Sequence, residues 1–195
     1  MRLLIVRHGE TEYNKLNLMQ GQSDTPLTEE GVSQARKLAG HLSEEKIDLV
    51  FSSDLSRALR TTNEIMRFHE VQLIVTEDLR ERKLGEFEHR PRADYYAAQA
   101  QAEDRWVFRP PGGESLADLE ERARRFIPRL EPYSSQTVLV SSHNAFIRVL
   151  IKALLGLDRD ACSQLKQNNC CLNELAGEDL QHLHAERLGW TKHLI

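Results

Sequence analysis

The sequence predicts an α/β fold in which helices pack over a mostly parallel sheet. Three observations carry that expectation: short apolar runs without polar alternation, helical apolar stripes between them, and capping or breaking residues at the joints. Leu3-Leu4-Ile5-Val6 is the first run, the pattern of a strand covered on both faces. Val32, Ala35, Leu38, Ala39 and Leu42 then share one helical face, with Thr28 as N-cap and Glu29-Glu30 in the first turn. Ile47 to Phe51 reads as a second strand, and Leu55, Ala58, Leu59, Thr62, Ile65 and Met66 as a second helical stripe. Leu73-Ile74-Val75 is a shorter strand. Ser115-Leu116-Ala117-Asp118 has the form of a capping box and opens a helix through Leu119, Ala123, Phe126 and Leu130, shortened or kinked near Pro128. Thr137 to Val140 is a fourth strand, followed by an apolar helix from Ala145 to Leu155 with Gly156 as its stop. Cys170 to Leu175 and Leu180 to Ala185 read as a late hairpin around Ala176-Gly177-Glu178-Asp179. Residues 88–113 fit the alternation least. They hold Arg90, Arg92, Arg105 and Arg109 among Tyr95, Tyr96, Trp106 and Phe108, and end in Pro110-Pro111-Gly112-Gly113. The segment reads as a partly helical, lid-like excursion from a single domain spanning 1–195.

With 195 residues, the chain is long enough to bury about 70% of its unfolded surface without disulfides or metal. Composition is that of a folded globular protein, at 40% hydrophobic and 29% charged residues. The net charge of −4 argues against a general nucleic-acid partner. Three cysteines, two of them adjacent at Cys170-Cys171, read as reduced thiols. The apolar run at the N-terminus is too short for a signal peptide and none later approaches a membrane span, so a cytoplasmic protein with no membrane partner is expected.

Chemistry collects after the strands. The first strand leads into Arg7-His8-Gly9-Glu10-Thr11, the second into Ser52 to Arg57, the third into Leu79-Arg80-Glu81, and the fourth into Ser141-Ser142-His143-Asn144. Ligand sites of open α/β sheets lie beyond the carboxyl ends of the strands, so His8, His143, Arg7, Arg57 and Glu81 are expected to converge. Two guanidiniums can grip phosphate oxygens, a helix starting near Ser53 would add backbone N–H groups, and a histidine kept neutral by nearby cations can attack phosphorus. A carboxyl group can protonate a leaving alkoxide. No Walker loop, G-x-G-x-x-G or H-E-x-x-H occurs. Each residue alone has a structural reading: Arg57 as a solvated helix residue, Glu81 as a surface acid, His143 as a hydrogen-bonded core histidine. His182 and His184 read as exposed strand histidines before they read as a metal pair.

Taken in order, Arg7-His8-Gly9-Glu10-Thr11, Asn14, Gln20 to Thr28, Gly31, Gln34-Ala35, Ser52 to Ala58, Thr61-Thr62, Leu79-Arg80-Glu81, Gly85, Gly112-Gly113-Glu114-Ser115 and Ser142-His143 resemble the motifs of the histidine phosphatase superfamily. The resemblance implies a phosphoglycerate mutase-like fold, a three-layer α/β/α sandwich. It implies His8 as the nucleophile that carries the phosphoryl group and Glu81 as proton donor. Arg7, Arg57 and His143 would bind the phosphoryl oxygens, and Asn14, Gln20, Gly21 and Asn144 would contact substrate. No metal or other cofactor is implied, and the partner is a small phosphorylated substrate. Members are often dimers, so the resemblance allows a homodimer, although no stretch of sequence marks an interface and the sequence does not give the oligomeric state.

Two departures stand out. Asn144-Ala145 follows the second histidine where many relatives have glycine, with Asn144 as a candidate cap for the next helix. His89 follows Phe87-Glu88 where phosphatase-like members often have glycine. The block from Gln20 to Thr28 looks like the phosphatase branch, so the reading is a phosphomonoesterase for a small metabolite working through phosphohistidine. Arg82, Lys83, Arg90, Arg92, Arg105 and Arg109 point to a substrate with a second anionic group. The alternatives are a 2,3-bisphosphoglycerate-dependent phosphoglycerate mutase and, from another class, a protein phosphatase or an inert phosphatase-like binding module.

Overall fold

The computed structural model describes residues 1–195. Strand β1 (Arg2–Arg7) shows why its apolar run does not alternate. Leu3 and Ile5 point into one core cluster, Leu4 and Val6 into another, and all four are fully buried. Helices α2 (Glu29–Leu42) and α3 (Ser56–Met66) cover the second face through Ala35, Leu38, Ala39, Leu42 and Ile65. Helices α5 (Leu116–Phe126) and α6 (Asn144–Leu155) cover the first through Leu119, Phe126, Phe146, Leu150 and Ile151. The result is the expected three-layer α/β/α sandwich.

Strands β2 (Leu49–Ser53), β3 (Gln72–Thr76) and β4 (Thr137–Ser142) run parallel with β1. Two antiparallel strands, β5 (Leu172–Ala176) and β6 (His184–Trp190), complete one sheet in the order β3-β2-β4-β1-β5-β6. Thr28 caps α2 by accepting from Gly31 N–H, the Ser115–Asp118 capping box opens α5, and Gly156 ends α6 with φ 64°. Past α5, residues Ile127–Tyr133 tighten into a 3₁₀ turn that accommodates Pro128 and Pro132. Within residues 88–113 the chain forms α4 (Arg92–Ala100), which buries Tyr95, and then a loop that buries Trp106. A short helix, α1 (Glu12–Lys15), follows β1, and α7 (Arg159–Gln164) follows α6.

Four expectations need correction. The last strand begins at His184, not Leu180, because Asp179 accepts from Gln181 N–H and His182 N–H and holds 179–182 in a turn. His182 therefore lies in that turn, bonded to Asp179, while His184 pairs with Glu186. Helix α3 starts at Ser56, three residues beyond Ser53, with Leu55 in the N-cap position, and Asp24 accepts the Ser56 N–H. His143, not Asn144, holds the N-cap position of α6, and Asn144 is its first helical residue. Cys170 and Cys171 precede β5 rather than lying on it, and Cys170 has φ 52°. All three cysteines are free and buried.

Candidate active site

The register of the sheet creates the site. In the parallel pair β1·β4, Arg7 lies opposite Ser142, so the next residues, His8 and His143, leave the sheet side by side. Their ring centroids are 5.1 Å apart. Ser53, at the end of β2, reaches His143 from the neighbouring strand at 2.9 Å, and α3 directly after β2 supplies Arg57. The segment following β3 supplies Glu81.

His8 is buried and its tautomer follows from its partner. Nδ1 lies 2.7 Å from the Gly9 carbonyl oxygen, which can only accept, so Nδ1 carries the proton and Nε2 keeps a free lone pair. Burial, reinforced by the Arg7 and Arg57 guanidiniums, holds the His8 pKa well below the ordinary 6.5. Gly9 is required by packing: a Cβ there would stand 2.3 Å from the Gly31 carbonyl oxygen, where the start of α2 crosses the loop after β1.

Arg57, 1% exposed, lines the cavity and is anchored by three hydrogen bonds. Nη1 and Nη2 donate to the carbonyls of Ser23 and Gly21, both at 2.8 Å, and Nε donates to Nδ1 of His143 at 3.2 Å. Each Nη retains a second N–H for a ligand. Burial pushes its pKa down to about 10, so the guanidinium remains charged at neutral pH. Arg7 makes one side-chain hydrogen bond, from Nη1 to the Gln167 carbonyl at 2.6 Å, and its buried Nε has no acceptor. His143 is fully buried, and Arg57 and Ser53 occupy its two ring nitrogens. It stands behind His8 and Arg57 rather than on the cavity wall.

Glu81 accepts from Arg82 N–H through Oε1 at 2.8 Å and from Ala145 N–H, in the first turn of α6, through Oε2 at 3.2 Å. The loop carrying it is fastened by its carbonyls. Arg122 donates to those of Asp78, Arg80 and Glu81, Gln22 donates to that of Glu81, and Ser142 to that of Leu79. Glu114 in turn holds Arg122 by two contacts of 2.9 and 3.1 Å. Gly113 lets this strap lie close, since a Cβ would stand 2.7 Å from the Lys83 carbonyl oxygen. Sequence reading missed Arg122, which looks like any charged helix residue until the fold turns it inward.

Asn14 Oδ1 accepts from Thr11 N–H, Thr11 Oγ1 and Asn169 Nδ2, so its amide NH2 is left free at the cavity. Gln20, bonded to Thr11 and Thr25, and Gly21 also line the cavity, as does Asn144, whose Nδ2 donates to Gln167 O at 3.4 Å. Asn169 also donates to the His8 carbonyl at 3.1 Å. Residues 167–171 thus back the site, brought there by the antiparallel pairing of β5 with β1. No motif in the sequence marks them. His89 adopts φ 70°, the left-handed backbone glycine takes without strain, and is held there by Tyr13 and Ser23. The adjacent Glu88 accepts from Gln22 N–H and Leu84 N–H.

These residues surround one cleft of about 340 Å³ containing His8, Arg7, Arg57, Glu81 and Asn14, also lined by residues of the 88–113 segment. A tetrahedral anion seated there would face the Nε2 lone pair, two guanidiniums, an amide and a carboxyl group. No group of three His, Cys, Asp or Glu side chains is arranged to hold a metal ion.

Residues 3–189 match the family model described as "Histidine phosphatase superfamily (branch 1)". The adenosylcobalamin/alpha-ribazole phosphatase of Salmonella typhimurium is 35% identical over 80% of this chain and 81% of its own. A protein of Photorhabdus laumondii named "Probable phosphoglycerate mutase" is 34% identical over 97% of this chain and 90% of its own. Among solved structures, the mycobacterial glucosyl-3-phosphoglycerate phosphatase in complex with VO3 superposes with a TM-score of 0.83 at 31% identity, covering 97% of each chain.

Proposed function

From its membership of the histidine phosphatase superfamily, to which this chain belongs, we infer that the protein is a phosphomonoesterase that hydrolyses a small phosphorylated metabolite through a phosphohistidine. The observation that carries the reading is the His8–Gly9 hydrogen bond, which leaves Nε2 unprotonated in a cavity walled by Arg7 and Arg57. In the first step the His8 Nε2–P bond forms as the P–O bond to the leaving group breaks, and Glu81 gives its proton to the departing oxygen. In the second, water attacks phosphorus, the Glu81 carboxylate takes the water's proton, and the N–P bond breaks to release phosphate. Arg7, Arg57 and the Asn14 amide hold the phosphoryl oxygens as charge builds on them. His143 orients Arg57 and supports His8; Gln20, Gly21 and Asn144 shape the phosphate pocket.

The residues needed for chemistry lie within one domain, with the 88–113 segment as its lid. Free, buried cysteines fit a reducing, cytoplasmic setting. The deciding experiment is phosphate release from a panel of phosphorylated metabolites, run beside 3-phosphoglycerate with and without 2,3-bisphosphoglycerate. Release of phosphate without dependence on the bisphosphate is expected. Efficient isomerisation without net phosphate release would establish the mutase instead.

A further inference from the structure

Charge is partitioned unusually in this molecule. Every arginine outside the cavity except Arg90 lies within 4.0 Å of a carboxylate, and Arg90 stacks on Phe87. The six arginines of the cavity, Arg7, Arg57, Arg82, Arg92, Arg105 and Arg148, have no such partner, and Glu81 is the one acidic residue among them. A chain with a net charge of −4 therefore concentrates its arginines without a carboxylate partner in a single cleft. Holding like charges together opposes folding, so the arrangement calls for a ligand that neutralises it.

A phosphate dianion between Arg7 and Arg57 accounts for two of the six. The other four line the same cleft. Arg82 is 6% exposed; Nη2 donates to the Tyr95 hydroxyl, while its buried Nε and Nη1 have no acceptor at all. Such orphaned donors are costly and rare in native proteins. Arg92 occupies the first turn of α4, where a cation opposes the helix dipole. Arg148 is aimed by its donation to the carbonyls of Cys162 and Ser163 at the end of α7. Lys83 and Arg109, basic by sequence, lie outside the cavity, and Arg109 is neutralised by Asp118.

We propose that the substrate carries a second anionic group besides the phosphate ester, a carboxylate or a second phosphate, received by Arg82 with Arg92, Arg105 and Arg148. The proposal rests on the phosphomonoesterase reading and specifies its substrate class. Arg82 lines the cavity with donors that its protein neighbours leave unpaired, so an anionic group seated beside it would be held by hydrogen bonds as well as by charge.

Calorimetry on His8→Ala tests this without turnover, using two pairs of ligands. 3-Phosphoglycerate against glycerol 3-phosphate removes a carboxylate; fructose 1,6-bisphosphate against fructose 6-phosphate removes a phosphate. At least one pair is expected to show about 10-fold or more tighter binding of the member with two anionic groups, and the pair that does so identifies the group. Adding Arg82→Gln, or the exposed Arg105→Gln where the buried change impairs folding, is expected to cut that preference to about threefold or less. Preferences below about threefold in both pairs, or a preference unchanged in both variants, would overturn the proposal. Failure of the wild-type protein to release phosphate from p-nitrophenyl phosphate would overturn the phosphatase reading separately, and the binding ratios would still decide this one.

Discussion

Arg57 donates from Nε to Nδ1 of His143 at 3.2 Å, and that bond fixes the protonation of the second histidine. A guanidinium has no acceptor, so Nδ1 must be unprotonated, and Nε2–H then donates to Ser53 Oγ. With His8 protonated only at Nδ1, both imidazoles are neutral, and neither repels the two guanidiniums beside them. The pocket keeps its positive charge on arginine and both imidazoles uncharged.

His8→Ala removes the only nitrogen lone pair that faces the cavity next to Arg7 and Arg57. Turnover should fall by roughly 10⁴-fold or more. Rapid acid-free quench of the wild-type enzyme should trap an acid-labile phosphoprotein absent from the variant; comparable labelling of both would displace His8 as nucleophile.

Glu81→Gln retains the hydrogen bonds from Arg82 N–H and Ala145 N–H but cannot give up a proton. Alkyl phosphates should lose about 10²–10⁴-fold in kcat, and activated aryl phosphates much less. Equal losses in a leaving-group series would count against the acid role.

Both histidines have pKa values depressed well below 6.5, first by burial and then by neighbouring cations. Activity limited by His8 should therefore persist below pH 6.5, where an ordinary histidine is protonated. Stability follows the same sign. Above about pH 6.5 neither state protonates these rings; below it the unfolded chain binds protons that the folded one does not. Tm should thus fall as pH drops from about 6.5, each ring adding up to about 1.4 kcal/mol per pH unit until its folded pKa is reached. A flat Tm between pH 6.5 and 5 would contradict the neutral assignment.

Asn169 touches the cavity only through Asn14 and the His8 carbonyl. Asn169→Ala should lower kcat/KM by about 5–30-fold with little change in Tm, and its effect should largely vanish in an Asn14→Ala background. Additive losses would show that the two amides act independently.

Vanadate can take the five-coordinate geometry of phosphorus in flight, and should inhibit competitively in a manner that requires both Arg7 and Arg57. Undiminished vanadate affinity in Arg57→Met would argue that this guanidinium does not meet the phosphoryl oxygens.

Short-range signals on the chain located most of the molecule. Continuous apolar runs placed β1, β2 and β4 because a strand covered on both faces has no polar side to show, a shorter run placed the partly exposed edge strand β3, and helical stripes placed α2, α3, α5 and α6. The late strand was misplaced by four residues because Asp179 folds its own backbone into a turn, a hydrogen-bonding choice invisible to hydrophobic pattern. Likewise, Asn144 has the chemistry of a cap but sits inside the helix, because β4 delivers His143 to the capping position.

By itself the sequence determined which residue types follow each strand, and hence that His8, Arg7, Arg57, Glu81 and His143 would gather at one edge of the sheet. The tertiary structure alone decided how each is set there: which nitrogen of His8 is free, that His143 stands behind rather than on the cavity wall, and which of many arginines line the cavity. It also brought in Arg122, Gln167 and Asn169, which no motif marks. The physical reason is that strand and helix patterns depend on neighbours along the chain, whereas tautomer, charge pairing and hydrogen-bond partner depend on groups far away in sequence, 161 residues for Asn169 and His8, set by register and packing.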